Sequence, residues 1–424
     1  MVAISGDPAL STSTLTTDRT TVTLQRSSRG QYVAIHHARL RNNLLAGVGF
    51  LELANAGDFA ANVWNEIPVP RHAVILMAIG GPIALLVSIV AARDFYLSWK
   101  NVSLLYAERK NLLCIQHPND RISAILGVNT RELGTEIIDR MLMDAFLGFG
   151  ALLVGTGTIM AIWGADHRVF EASNLLSGFV GNSCAAIFGV INAVWSAYIV
   201  YRFHRRYAAC RADSTAATRV TKIRQRFRSF QWHAGINGLN GLVAGMASMV
   251  TAKMWWGYVV LIPCVAVMIA GNLFWKMKFG YDRPLMTHLR VTSVDEEKGL
   301  ESRDSCDVLD ALVTAEEAQV RLDEISQHGT LETAMEFIVD NDMFYSFCEM
   351  AANAWPDHRV FVGQEDMLFI SCRDLMSGSQ EEIARLALEC RRFLDKEART
   401  ILTHRERYLL ELLGETVYNG GERH

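Results

Sequence analysis

Five stretches of this chain are each apolar over about 20 residues, the length an α-helix needs to cross the hydrocarbon core of a bilayer. They run over residues 72–92, 141–163, 174–201, 233–252 and 255–275. Backbone polar groups find no water inside a bilayer, so repeated runs of this kind restrict the chain to a helical bundle. The fourth run is rich in Gly and Asn and is the least apolar of the five. Five crossings alone would leave the two ends of the chain on opposite sides.

The distribution of Lys and Arg argues for a sixth. Seven lie between residues 92 and 141, and nine between 201 and 233. The connectors after residues 163 and 252 carry one each, Arg168 and Lys253. Positive charge is retained on the cytosolic side, so the long basic loops are expected there. Arg71 is the one cation in its connector and is expected outside. A further span at 44–64 reconciles these placements and sets both termini in the cytosol. The expected architecture is all-α: a six-helix polytopic membrane bundle over 42–279, with a cytosolic C-terminal helical domain.

The added span, "GVGFLELANAGDFAANVW", carries carboxylates. Glu52, Asn55, Asp58 and Asn62 are offset by three, six and ten residues, which at about 100° per residue gathers them into one arc. A carboxylate facing lipid costs several kcal/mol, so this stripe is expected to face the bundle. It is read first as structural, bonding across helices. A ligand, ion or proton path is the second reading.

Glycines recur in the spans, and Gly241 with Gly245 makes a small-xxx-small pair that lets helix backbones approach closely. Packing within one bundle is the first expectation for this pair, and homodimerisation the second. None of the eight cysteines falls in an outer loop, which suits reduced thiols, and their spacing shows no metal-ligand pattern. The basic stretch 202–228 interleaves Arg with Phe203, Tyr207 and Phe227, as expected for solvated or lipid-facing charge beside the membrane. Nucleic-acid binding is not expected of a loop tethered in this way.

The net charge of −4 conceals two halves of opposite sign, basic up to residue 290 and acidic beyond it. Residues 1–41 are Ser/Thr-rich at their start and read as a disordered cytosolic tail. Residues 280–306 read as a linker, and 307–415 as a helical domain. Within that domain Ser379 and Glu382 form a capping-box pattern, and Ile383, Leu386, Cys390, Phe393 and Leu394 share a helix face. Gly414 is expected to stop this helix.

The runs "FYSFCEM", "QEDMLFISCRDLM" and "ALECRRFLDKEART" loosely resemble the RGS box, a helical domain that binds G-protein α subunits. Phe344 and Phe347 match its Phe-rich helix. Glu365, Asp366, Met367 and Phe369 match the motif that opens its next helix, and Phe393-Leu394 a later pair. The resemblance covers about a quarter of the chain and implies a Gα partner, with contacts at Glu365, Asp366 and Phe369. Asp366 stands where the family has Asn and cannot donate an amide hydrogen bond, which implies an RGS-like fold without GTPase activation. As a whole the chain also resembles multispanning membrane proteins of filamentous fungi, a likeness that carries no functional residue.

No P-loop, G-x-S-x-G or H-E-x-x-H sequence occurs, and no His/Asp/Glu cluster has metal-ligand spacing. The chain is read as non-enzymatic, without a cofactor or metal. Its expected role is a membrane signalling or scaffold protein whose partners are the lipid bilayer and a cytosolic protein. The alternative is a small-solute or ion transporter or channel with Glu52 and Asp58 lining the path.

Overall fold

The computed structural model describes residues 20–27, 30–35, 39–64, 69–115, 120–213, 219–285, 304–355 and 367–421. It is predominantly helical. Three short strands come first: β1 (Thr21–Arg26), β2 (Tyr32–Ala34) and β3 (Arg39–Leu40). Helices α1 (Leu51–Asn55), α2 (Phe59–Val63), α3 (Arg71–Leu113), α4 (Asp120–Gly134) and α5 (Met143–Ala161) follow. After them come α6 (His167–Ser173), α7 (Asn182–Ala212), α8 (Val220–Thr251), α9 (Gly257–Lys278) and strand β4 (Arg283–Pro284). The remainder comprises α10 (Asp304–His328), α11 (Leu331–Asp340), α12 (Phe344–Ala354), β5 (Met367–Ser371), α13 (Cys372–Met376), α14 (Gln380–Phe393) and α15 (Arg399–Gly421). Two compact units emerge: Arg39–Glu316 with Thr403–His424, and Met1–Ala38 with Glu317–Leu402.

Among the described residues of the larger unit, three helices are long and apolar enough to cross a membrane: Arg71–Leu113, His167–Ala212 and Gly257–Lys278. They contain the expected spans 72–92 and 174–201 and all but the first two residues of 255–275. On α3 the division of faces is plain. Ile75, Ile79, Ile83, Leu86 and Ile89 are exposed, whereas Ala73, Met77, Ala84 and Ala91 are buried. At 1.5 Å per residue α3 is about 65 Å long, roughly twice the thickness of a hydrocarbon core. The helices α7, of 31 residues, and α8, of 32, are likewise longer than one crossing requires.

The other three expected spans are helical, two of them with irregular turns. Residues 44–64 fold as a broken helix, in which 3-10 turns at Ala46–Phe50 and Ala56–Asp58 flank α1 and precede α2. Gly47, Gly49 and Gly57 weaken the helix here, and Asn and Asp side chains compete for its backbone. Residues 141–163 fall on α5 and on the π-helical turn before it, Thr135–Leu142. Residues 233–252 fall in α8, whose Asn and Gly content keeps it less apolar.

Four boundaries differ from those read in the sequence. The tail 1–41, expected to be disordered, contains three strands; residues 1–19 lie outside the described residues. The linker 280–306 contains β4, which pairs antiparallel with β3 so that Arg39 faces Pro284 and Leu40 faces Arg283. The domain 307–415, expected to be helical, contains β5. Gly414 does not stop the last helix, which continues to Gly421. A Cβ at residue 414 would run into the Phe227 ring, so this glycine serves a close helix approach rather than a cap.

In the basic stretch 202–228, Arg205, Arg211, Lys222, Arg224 and Arg228 are exposed, as expected of solvated or lipid-facing charge, and Arg202 departs from it. Arg202 is only 2 % exposed, and Phe203 and Phe227 are buried. They belong to a core made by the extensions of α7 and α8 with Leu112, Ile125, Val128, Leu410, Leu413 and Val417. The rings of Phe203 and Phe230 stack with centroids 4.7 Å apart.

The smaller unit has a three-stranded antiparallel sheet in the order β2-β1-β5. Thr21 pairs with Ser371, Thr23 with Phe369 and Gln25 with Met367, while Gln25 also faces Val33. Strand alternation turns Val22, Leu24, Tyr32, Ala34, Leu368 and Ile370 inward, onto Phe337, Ile338, Phe347, Leu386 and Phe393. Asn353 clamps β2 by accepting from the Tyr32 amide and donating to its carbonyl, each at 2.9 Å. The capping box at α14 forms as the sequence reading expects: Ser379 accepts from the Glu382 amide, and Glu382 accepts from the Ser379 amide.

Candidate functional site

The broken helix at 46–63 turns its polar stripe inward. Glu52, Asn55 and Asp58 are buried and Asn62 is half-buried, whereas Phe50, Leu53 and Phe59 are exposed. Asp58, fully enclosed, is the best-satisfied member. Its Oδ1 accepts from the Tyr258 hydroxyl at 2.8 Å, and its Oδ2 accepts from Asn62 Nδ2 at 2.9 Å and Asn182 Nδ2 at 3.5 Å. Asn182 also reaches Thr251 Oγ1 at 3.4 Å, and Phe59 packs edge-on to Tyr258. One carboxylate thereby joins α7 and α9 to the broken helix.

Glu52 and Asn55 are held differently. Glu52 Oε2 and the Asn55 side-chain amide are buried beside each other, and no hydrogen bond from another helix reaches them among the described residues. Asn55 lies against α5 where Gly150 leaves room, since a Cβ there would come within 3.0 Å of Asn55 Oδ1. The stripe thus divides into a closed half around Asp58 and an unsatisfied half around Glu52. Beside the closed half, a cavity of about 20 Å³ is lined by Asn62, Ser173, Asn174 and Ser177 among others. No group of three or more metal-ligating side chains occurs among the described residues.

Gly241 and Gly245 of α8 face α7 of the same chain. A Cβ at residue 245 would lie 2.7 Å from Ala186 Cα, and one at residue 241 would lie 3.0 Å from Asn192 Nδ2. The pair is therefore used in intrachain packing.

Sequence reasoning missed the most charged feature of the larger unit. Four arginines and four glutamates are brought together by α3, α4, β4, α7 and α15. Arg131 binds Glu411 through Nε at 2.8 Å and Nη2 at 2.7 Å. Arg283 binds Glu108 through Nη1 and Nη2, both at 2.8 Å, and Glu132 through Nη2 at 2.7 Å. Arg202 and Arg206 converge on Glu415. Burial pushes the Glu411 carboxyl upward, but Arg131, Arg202 and Arg226 together more than offset this and hold it below its ordinary value. For Glu132 burial prevails over Arg283 and Arg131, and its carboxyl is pushed up. Such a network specifies geometry more than it adds stability. One signal was present in the sequence: Glu411 and Glu415 lie one turn apart within the apolar face Leu410, Leu412, Leu413 and Val417.

In the smaller unit, Met367 and Phe369 lie in strand β5 and not at the start of a helix, unlike the motif they were matched to. Glu365 and Asp366 lie outside the described residues. Phe369 is 75 % exposed, and Met367 and Val33 are exposed on the same side of the sheet. Phe344 and Phe347 are buried in α12, and Phe393 and Leu394 in the core beside them.

Comparison of the chain with protein-family models, curated proteins and solved structures finds no match in any of the three.

Proposed function

We propose that the chain is a multi-pass membrane protein with six spans and both termini cytosolic. Without being an enzyme, it serves as a signalling or scaffold protein, and its smaller unit offers a sheet face to a cytosolic partner. Support for the crossing number comes from the β3–β4 ladder. Residues 39–40 hydrogen-bond to residues 283–284, and a two-strand ladder of this kind has its two halves on one side of a bilayer. The crossings between them are then even in number, which suits six and not five or three. The charge placement in the long loops supports the cytosolic side.

The observation that carries the partner role is the outward face of β5 and β2. Phe369, Met367 and Val33 form an exposed apolar patch on a sheet whose other face already fills the core. The test is a photo-crosslinking amino acid placed at residue 369 in the full chain in its native membrane, with exposed Leu388 as the control site. One discrete heavier adduct from 369 and none from 388 is the expected result. The same adducts from both sites, or none from either, would overturn the role. A Gα subunit in the adduct would uphold the RGS resemblance, whereas another protein would keep the role and drop the resemblance.

The interrupted first helix favours a second reading. Broken helices with buried polar groups line substrate paths in secondary transporters, and the unsatisfied Glu52–Asn55 half suits an ion or small solute. Flux through proteoliposomes that is lost in Glu52→Gln would establish it. The closure of Asp58 by three donors weighs toward anchoring.

A further inference from the structure

A second cavity lies between the π-helical turn Thr135–Leu142, the middle turns of α7 and α8 and the last turn of α9. Its volume is about 20 Å³, room for one group the size of a water molecule. Arg131 and Asp139 line it together with the rings of Trp195, Phe230, His233 and Trp275.

The polar groups at this cavity are specific. Arg131 is 3 % exposed, and its Nη1 has no hydrogen-bond partner among the described residues, although Nε and Nη2 both bind Glu411. A buried N–H donor left without an acceptor costs about 1–3 kcal/mol, so a ligand that accepts here is favoured. Asp139 Oδ2 accepts one hydrogen bond, from Trp195 Nε1 at 3.2 Å, which leaves its carboxyl with acceptor capacity.

Charge narrows the occupant. Glu411 and Glu132 already offset the charge of Arg131, so an anion gains little there and meets Asp139 as well. A cationic ammonium carries only donors and would confront the Arg131 N–H. The group that fits is neutral, small, and both accepts and donates, which describes a hydroxyl. Its carrier is apolar, because aromatic rings form the walls and Val194, Tyr198, Trp232, Ile236 and Phe274 are exposed on the same helices.

We infer that this cavity binds the hydroxyl of a membrane lipid alcohol, such as a sterol or a diacylglycerol. The hydroxyl oxygen accepts from Arg131 Nη1 and its proton is donated to Asp139. The inference rests on the six-span reading, which puts these residues at the cytosolic ends of their spans, the depth at which lipid hydroxyls lie.

The test uses the full chain in nanodiscs with photoreactive sterol and photoreactive diacylglycerol as probes. Saturable labelling of peptides covering 195–199 or 230–237 by one of the two is expected. The matching unlabelled alcohol should compete, and its methyl ether, which cannot donate, should compete about tenfold less well, the equivalent of one hydrogen bond. Asp139→Leu should weaken labelling to the same degree while helical circular dichroism and elution volume stay unchanged. Equal competition by the ether, or labelling of folded Asp139→Leu at the wild-type level, would overturn the inference. So would a cavity that holds water only, seen as no saturable labelling by either probe. Release of the chain from membranes by alkaline carbonate would count instead against the membrane reading.

Discussion

Arg283 lies in a stretch that reads as a linker, where a substitution should shift stability by less than about 0.5 kcal/mol. The structure assigns it a different weight. Its guanidinium makes hydrogen bonds of 2.7–2.8 Å to Glu108 and Glu132, whose side chains are 0 and 1 % exposed. In Arg283→Ala two buried carboxylates lose their shared cation. Glu108 keeps the Asn129 amide at 2.9 Å, and Glu132 keeps Arg131 at 3.6 Å. Breaking a buried pair in this manner costs about 3–5 kcal/mol. Hydrogen exchange of the α4 amides reads that loss locally. It should accelerate by roughly two to three and a half orders of magnitude, at about 1.4 kcal/mol per tenfold. Neutralising the partners as well, in Arg283→Met with Glu108→Gln and Glu132→Gln, should recover most of the loss, because no unpaired charge then remains buried. Exchange in Arg283→Ala within threefold of wild type would refute the reasoning, as would a triple variant worse than the single.

Three further outcomes follow from the packing and the charges. Gly245→Ala should destabilise the chain by about 1–3 kcal/mol, since the added Cβ meets the α7 backbone. Gly235→Ala, with nothing within 4 Å, should gain up to about 1 kcal/mol, and equal thermal shifts for the two would exclude the close α7–α8 approach. Burial, with Arg407, Arg39 and Arg226 nearby, pushes the His404 pKa down from 6.5 to about 4. Its neutral form therefore contributes stability that is complete above pH 6.5 and is lost as pH falls through 4. Unfolding measured from pH 7 to 4 should fall less steeply in His404→Gln than in wild type; parallel curves would contradict this. Glu52→Leu should leave the unfolding midpoint unchanged or raise it, because Glu52 is buried and its Oε2 has no partner on another helix to lose. A clear fall would reveal a bond that Glu52 makes when the protein is in a membrane.

What could be read directly from the chain was what repeats locally. Twenty apolar residues, or a Ser379–Glu382 pair ahead of Ile383, Leu386 and Cys390, are recorded within one or a few helical turns; the structure forms the capping box and, among the described residues, gives three of the expected spans in helices long and apolar enough to cross a membrane. The missed features depend on distant partners. Six residues of β1 are Thr-rich and unremarkable until Leu368 and Ile370 are placed beside them. Arg283 looks like any cation in a short loop until Glu108 and Glu132 surround it. The polar stripe was legible because its period is helical. Its division into a satisfied Asp58 and an unsatisfied Glu52 was not, since Tyr258 and Asn182 come from other helices.

The β1–β5 pairing has a consequence for biosynthesis. Gln25 leaves the ribosome long before Met367, and at about 5–20 residues per second the interval is on the order of 17–70 s. Throughout that time β1 and β2 have an apolar side and no sheet to complete, while the intervening helices are being made. The smaller unit can close only after Ser371 has been made. A nascent chain released early, before residue 371, would carry that unsealed amino-terminal edge into the cell, open to misassembly and to recognition by quality control.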